Sequence, residues 1–280
     1  MPIARLFILG ILSPFFIYIL FILKQYVKVN FTNAPDIVKL PKYKFLVWRI
    51  HRLMSALNPY YAGLTKEGKS KFLGRLIVLL QQKQFRAKED EIDTIEKRIV
   101  ILGALTQLTF GLKNFNLPSF DLIRLYPRAF YSAYLQTHVK GLTNRRGTIS
   151  LSWLDTMRGI HDTNDNLHLA LHEWSHALLI DHQDDYIQWL YSSMNKYIRE
   201  AEEFFEQIKK QQIEDHYLRA YAFTNEHEFF AVSVEHFFET PATFASKLPE
   251  LYVIMCSLLN QDPLNPEGDY GYKSSKIKIK

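Results

Sequence analysis

Cysteine is almost absent from this chain of 280 residues: Cys256 stands alone. An intramolecular disulfide is therefore excluded, and a reducing compartment fits. Cys256 sits in no cluster of ligating residues, so metal ligands have to be sought among His, Glu and Asp. No helix-turn-helix, RNA-binding or zinc-finger pattern is present, and no nucleic acid partner is expected. No internal repeat is evident. The net charge of +5 is modest, and much of the excess lies at the ends. The last stretch, 273–280, holds four lysines and reads as a solvated tail.

Apolar residues make up 48% of the chain, with 20 Phe and 16 Tyr. That suffices for one aromatic-rich domain with an appended segment. The appended segment is N-terminal. Leu6–Leu23 is an uncharged run of 18 residues. As a helix it would reach about 27 Å, close to the roughly 30 Å hydrocarbon core of a bilayer. The run exceeds a signal-peptide core, and the flank after it offers no small-x-small cleavage site. Lys24, Lys28, Lys39 and Lys42 follow the run, against Arg5 and the amino terminus before it. These features predict a single-pass membrane protein with its catalytic domain in the cytoplasm. The expected organisation is an anchor over 1–24, a linker and lead-in segment over 25–68, a domain over 69–263 and a basic tail over 264–280.

The most informative stretch is His172-Glu173-Trp174-Ser175-His176, an HExxH motif in the apolar, helix-like run Leu167–Ile180. Residues four apart on a helix lie on one face, about 5–6 Å apart. Both imidazoles then reach one metal ion, and Glu173 is placed to take a proton from a water there. Two histidines and a glutamate in so apolar a helix are costly to bury without partners. A zinc hydrolase, with a peptide or protein substrate, is the leading expectation.

Catalytic zinc needs a third protein ligand. The best stretch is Tyr221–Glu235, where Glu226, His227, Glu228 and Glu235 all compete. Glu228 and Glu235 are seven apart, on one helical face, which suits a ligand and a carboxylate that orients a histidine. Spacing alone gives Glu228 a modest lead over Glu226.

Leu-His-Glu-Trp-Ser-His and Tyr221-Ala-x-Thr-Asn-x-x-Glu228-Phe-Phe-Ala-Val-x-x-Glu235-x-Phe-Phe-Glu239-x-Pro241 resemble the motifs of the Mlc titration factor A family of zinc metallopeptidases. That family is itself similar to the catalytic domain of anthrax lethal factor. Leu151, Ser152, Trp153, Asp155, Gly159 and Asn166 also match its pattern, as do Tyr126-Pro127, Pro249–Tyr252 and Gln261–Pro263. The likeness covers most of 70–263. It implies His172, His176 and Glu228 as zinc ligands, Glu173 as general base and Tyr221 as a group near the reacting carbonyl. It also implies a second role, because the family sequesters a sugar-responsive transcriptional repressor as well as cleaving peptides. One departure is Leu179, where the family tends to carry aspartate; Asp181 lies two residues on.

The fold expected is α+β: a zincin-like domain, mostly helical, with a small sheet on the metal helix. Helices are predicted near 49–57, 70–85, 90–110, 187–213, around Glu228, and over 243–260. Alternation over Thr137–Lys140 and Thr148–Trp153 predicts strands, with Asn144–Gly147 as a turn. In zinc peptidases of this architecture the strand before the motif helix often lies along the substrate. Thr148–Trp153 is the candidate, an ordinary structural strand being the alternative.

Overall fold

Leu46, Ile50, Leu53, Met54 and Leu57 recur at helical spacing, and their face of α1 (Lys44–Leu57) turns inward. The computed structural model describes residues 38–181 and 217–272. Asn58 ends α1 and caps α2 (Pro59–Gly63), accepting the Tyr61 N–H at 2.7 Å. Thr65 likewise caps α3 (Lys66–Gln82) through Gly68. Residues 44–63, expected as lead-in, thus contribute Ile50, Met54, Tyr60 and Tyr61 to the core. At the other end Tyr270 stacks on Tyr60 with ring centroids 4.1 Å apart.

Strand β1 (Gln84–Ala87) follows α3 directly, then α4 (Ile95–Leu108), whose Thr94 caps it. Next come β2 (Leu122–Tyr126), the hairpin β3 (Phe130–Ser132) and β4 (Thr137–Val139), then β5 (Gly141–Asn144) and β6 (Thr148–Ser152). The larger sheet has the order β1-β2-β6-β5. Pairs β1–β2 and β2–β6 are parallel, and β5 runs antiparallel to β6. Gly147 closes the β5–β6 turn at φ +78°, a value that suits glycine, with its N–H bonded to Asn144 O at 3.1 Å.

Helix α5 (Trp153–His161) starts at Ser152, whose Oγ donates to Asp155 Oδ2 at 2.6 Å and accepts the Asp155 N–H. Helix α6 (Leu169–Asp181) carries the HExxH motif and is buried on nearly all sides. It packs against α4, α7 (Glu226–Glu239), β5 and β6. Trp174, fully buried, donates its indole N–H to Ile101 O at 3.0 Å and so ties α6 to α4. Helices α8 (Pro241–Lys247) and α9 (Pro249–Leu259) follow, and a 3-10 turn at Pro266–Gly268 leads to the end of the described residues.

The α+β expectation agrees with this mixed helical domain and its small sheet. Three expectations change. Thr148–Ser152, the candidate to lie along a substrate, is instead sandwiched between β2 and β5 with every residue buried, and the sheet's edges are β1 and β5. The helical element over 243–260 is two helices, because Pro249 opens a new one after Leu248. The single-pass membrane assignment is also corrected: no helix among the described residues is long and apolar enough to cross a membrane. The run Leu6–Leu23 on which it rested lies outside the described residues, as do the helix expected over 187–213 and the lysine tail 273–280.

Candidate metal centre

His168 Nδ1 accepts the Leu171 N–H at 3.2 Å and starts α6, so His172 and His176 fall on its face toward α7. The His172 and His176 Nε2 atoms lie 3.2 Å apart. Glu228 enters from α7, which Asn225 caps by accepting the Glu228 N–H at 3.1 Å. Glu228 Oε2 lies 3.0 Å from His172 Nε2 and 3.5 Å from His176 Nε2. This buried oxygen has no hydrogen-bond partner among the described residues. Donors about 2.0–2.1 Å from one tetrahedral ion lie roughly 3.4 Å apart, so the three observed separations fit a shared cation. Two imidazoles and a carboxylate are also a common donor set for zinc.

The charges around these donors are skewed accordingly. Burial would push the His172 imidazole down, but its contacts with Glu228 and Glu235 outweigh that and raise it to about 10. Burial also opposes ionisation of Glu228, yet His172 and His176 hold its carboxyl well below the usual range. The cluster therefore favours a positive charge, which a metal supplies in place of a proton.

Outside the three donors, His172 Nδ1–H donates to Glu235 Oε2 at 3.2 Å. Arg219 Nη2 donates to the same oxygen at 2.5 Å, and Arg219 Nη1 reaches Asn166 O. A carboxylate on the remote nitrogen fixes ring tautomer and orientation. Glu173 is buried, and burial pushes its carboxyl up. Thr143 Oγ1 on β5 donates to Glu173 Oε2 at 2.7 Å and lies 3.0 Å from its backbone oxygen. A Cβ at Gly141 would stand 2.2 Å from Glu173 Oε1, so only glycine admits the carboxylate there. Tyr221, in the 3-10 turn Ala220–Phe223, has its ring 6.1 Å from that of His172. Burial and the neighbouring Glu228 raise its hydroxyl to about 12, which keeps the proton on it at neutral pH.

The other sequence candidates separate cleanly. Glu226 is the exposed first residue of α7 and stands outside the donor cluster. His227 lines the cleft, its ring 6.4 Å from that of His176. His236 is buried against Tyr217 and Phe244, and burial lowers it to about 4. Leu179 is buried, while Asp181 accepts the Ser119 N–H at 2.8 Å at the far end of α6.

A cleft of about 790 Å³ opens over the donors, between β5, the β3–β4 hairpin and the start of α7. A family model described as glucose-regulated metallo-peptidase M90 matches residues 41–259. The chain belongs to this family. Mlc titration factor A of Salmonella typhi is 28% identical over 249 residues, covering 77% of this chain and 90% of the relative. Mlc titration factor A of Salmonella enteritidis PT4 is 28% identical over 251 residues, with the same coverage. The resemblance to the Mlc titration factor A family thus holds. Membership of M90 implies a divalent metal, and within the described residues His172, His176 and Glu228 form the cluster able to hold one.

Proposed function

We propose that the chain is a zinc-dependent peptidase, with His172, His176 and Glu228 as ligands and Glu173 as general base. The convergence of the three donor atoms on one point, with Glu173 and Thr143 beside it, carries this reading. Zinc held there supplies Lewis acidity to a water and to the scissile carbonyl. Glu173 takes the water proton and passes it to the leaving nitrogen; its raised pKa brings it closer to that two-way task. Thr143 and the notch at Gly141 hold the carboxylate in place. Tyr221 donates its hydroxyl proton toward the developing oxyanion. Glu235, braced by Arg219, keeps His172 in the ligating tautomer. A peptide lies along the edge of β5 that no strand among the described residues pairs with, bonded through backbone groups.

Gly141→Ala separates positioning from metal binding. The new methyl displaces the Glu173 carboxylate, and a misplacement near 1 Å costs on the order of 100-fold in rate. Peptide hydrolysis falls by that amount while zinc content stays at the wild-type level; unchanged turnover would overturn the positioning role.

Zinc itself is tested by stoichiometry and pH. Purified protein carries about one zinc per chain, and a chelator removes both metal and hydrolysis. With His172 raised to about 10 in the metal-free state, zinc displaces a proton at neutral pH. Apparent zinc affinity therefore falls as pH falls, about tenfold per pH unit for each proton displaced. Titration calorimetry at several pH values reads that slope, and a flat profile would refute it.

The relatives' name, titration factor, favours a second reading in which the protein holds a regulatory partner. A Glu173→Gln variant that restores the cellular phenotype would support holding over cleavage.

A further inference from the structure

The geometry points to a substrate rich in carboxylates: the cleft selects peptides with acidic side chains, bound by Lys140 and Arg158 at one end of β5 and Arg145 at the other. This inference rests on the peptide-binding reading of the cleft. Lys140 directly precedes β5 and Arg145 directly follows it, so the cations bracket the outer edge of β5 along which a peptide would lie. The four-residue strand spans about 13 Å, the reach of a short substrate segment.

Carboxylates and cations both line the cleft, but at the two ends of β5 the cations prevail. Glu235 is matched by Arg219. Asp155, nearly buried and held by Ser152, lies 3.4 Å from both Lys140 Nζ and Arg158 Nη1. One carboxylate thus faces two cations, whose side chains are 66% and 68% exposed and free to reach a ligand. Asp165 is exposed and accepts the Leu167 N–H within its own loop at 3.0 Å, while Glu228 lies in the donor cluster and Glu173 beside it. Arg145 has no ion pair among the described residues and acts on His227 across the mouth. A peptide carboxylate at either end meets these cations, while a basic side chain there is repelled.

The test uses the full chain carrying Glu173→Gln and two fluorescent peptides that differ only in glutamate against glutamine around a central bond. The glutamate peptide is expected to bind about fivefold more tightly at low salt, the gain of one or two exposed charge contacts. Raising the salt, or adding Lys140→Gln with Arg158→Gln, brings the ratio to within about twofold. Arg145→Gln lowers it partially. Zinc content and circular dichroism of each variant report that the fold is intact, as the exposure of these side chains leads one to expect. Equal binding of the two peptides, no binding of either, or a ratio unmoved by the substitutions would overturn the inference. Hydrolysis by the unsubstituted chain is read alongside. Cleavage without acidic preference sinks the inference and leaves the peptidase reading; preference in binding without cleavage does the reverse.

Discussion

Glu173→Gln leaves zinc bound and removes peptide hydrolysis, with a loss on the order of 100- to 10,000-fold. The amide is isosteric, so it occupies the notch beside Gly141 and still meets Thr143. It has no basic oxygen to take a proton from water and none to return to the leaving nitrogen. Glu173 is no part of the donor cluster, which is why metal content is spared. The measurements are zinc per chain and turnover of a peptide library, made on the same preparation. Retained turnover would remove Glu173 from the role of base. Loss of zinc together with turnover would mean that the carboxylate serves the metal instead.

Glu228→Ala has the opposite signature, because zinc binding itself collapses. Removing a partner that merely orients a ligand costs about 10- to 100-fold in metal affinity, and removing the ligand costs more. The alanine also leaves the His172 and His176 Nε2 atoms facing each other at 3.2 Å without the carboxylate that meets both of them. Glu226→Ala, one turn-start away on the exposed side of α7, leaves zinc affinity within about twofold of the original, as a solvated charge near a helix N-terminus should. Competition with a chelating dye compares the two variants directly. If Glu226→Ala is the one that loses zinc, the donor set is wrongly drawn.

The half of the site on α6 was legible from residue spacing, because helix geometry alone brings His172 and His176 together. The third donor was legible only as a choice. What separates Glu228 from Glu226 is where α7 starts: Asn225 caps it, Glu226 becomes its exposed first residue and Glu228 turns inward. Gly141, Thr143 and Arg219 were not found, since each acquires its role from a contact 16 to 32 residues away in sequence. Alternation did not find β5 either: Gly-Leu-Thr-Asn does not alternate, and only the parallel pairing of β6 with β2 and its antiparallel pairing with β5 place β6 inside. Strand β1 escaped because Gln-Phe-Arg-Ala is only four residues long, has no β-branched residue, and begins inside the stretch read as the helix over 70–85. The signal that could have exposed the partners of Glu173 is the glycine ahead of a short polar strand, a mark of close approach.

The unpaired edge of β5 is also a hazard. Among the described residues no strand pairs with its outer side, and a row of free N–H and C=O groups invites another copy of the same strand. Lys140 and Arg145 stand at its two ends, with Arg146 beside the second. In an antiparallel pairing of two such edges these cations would be brought face to face and repel. The same charges therefore guard the edge against self-association while leaving it open to a chain of opposite sign.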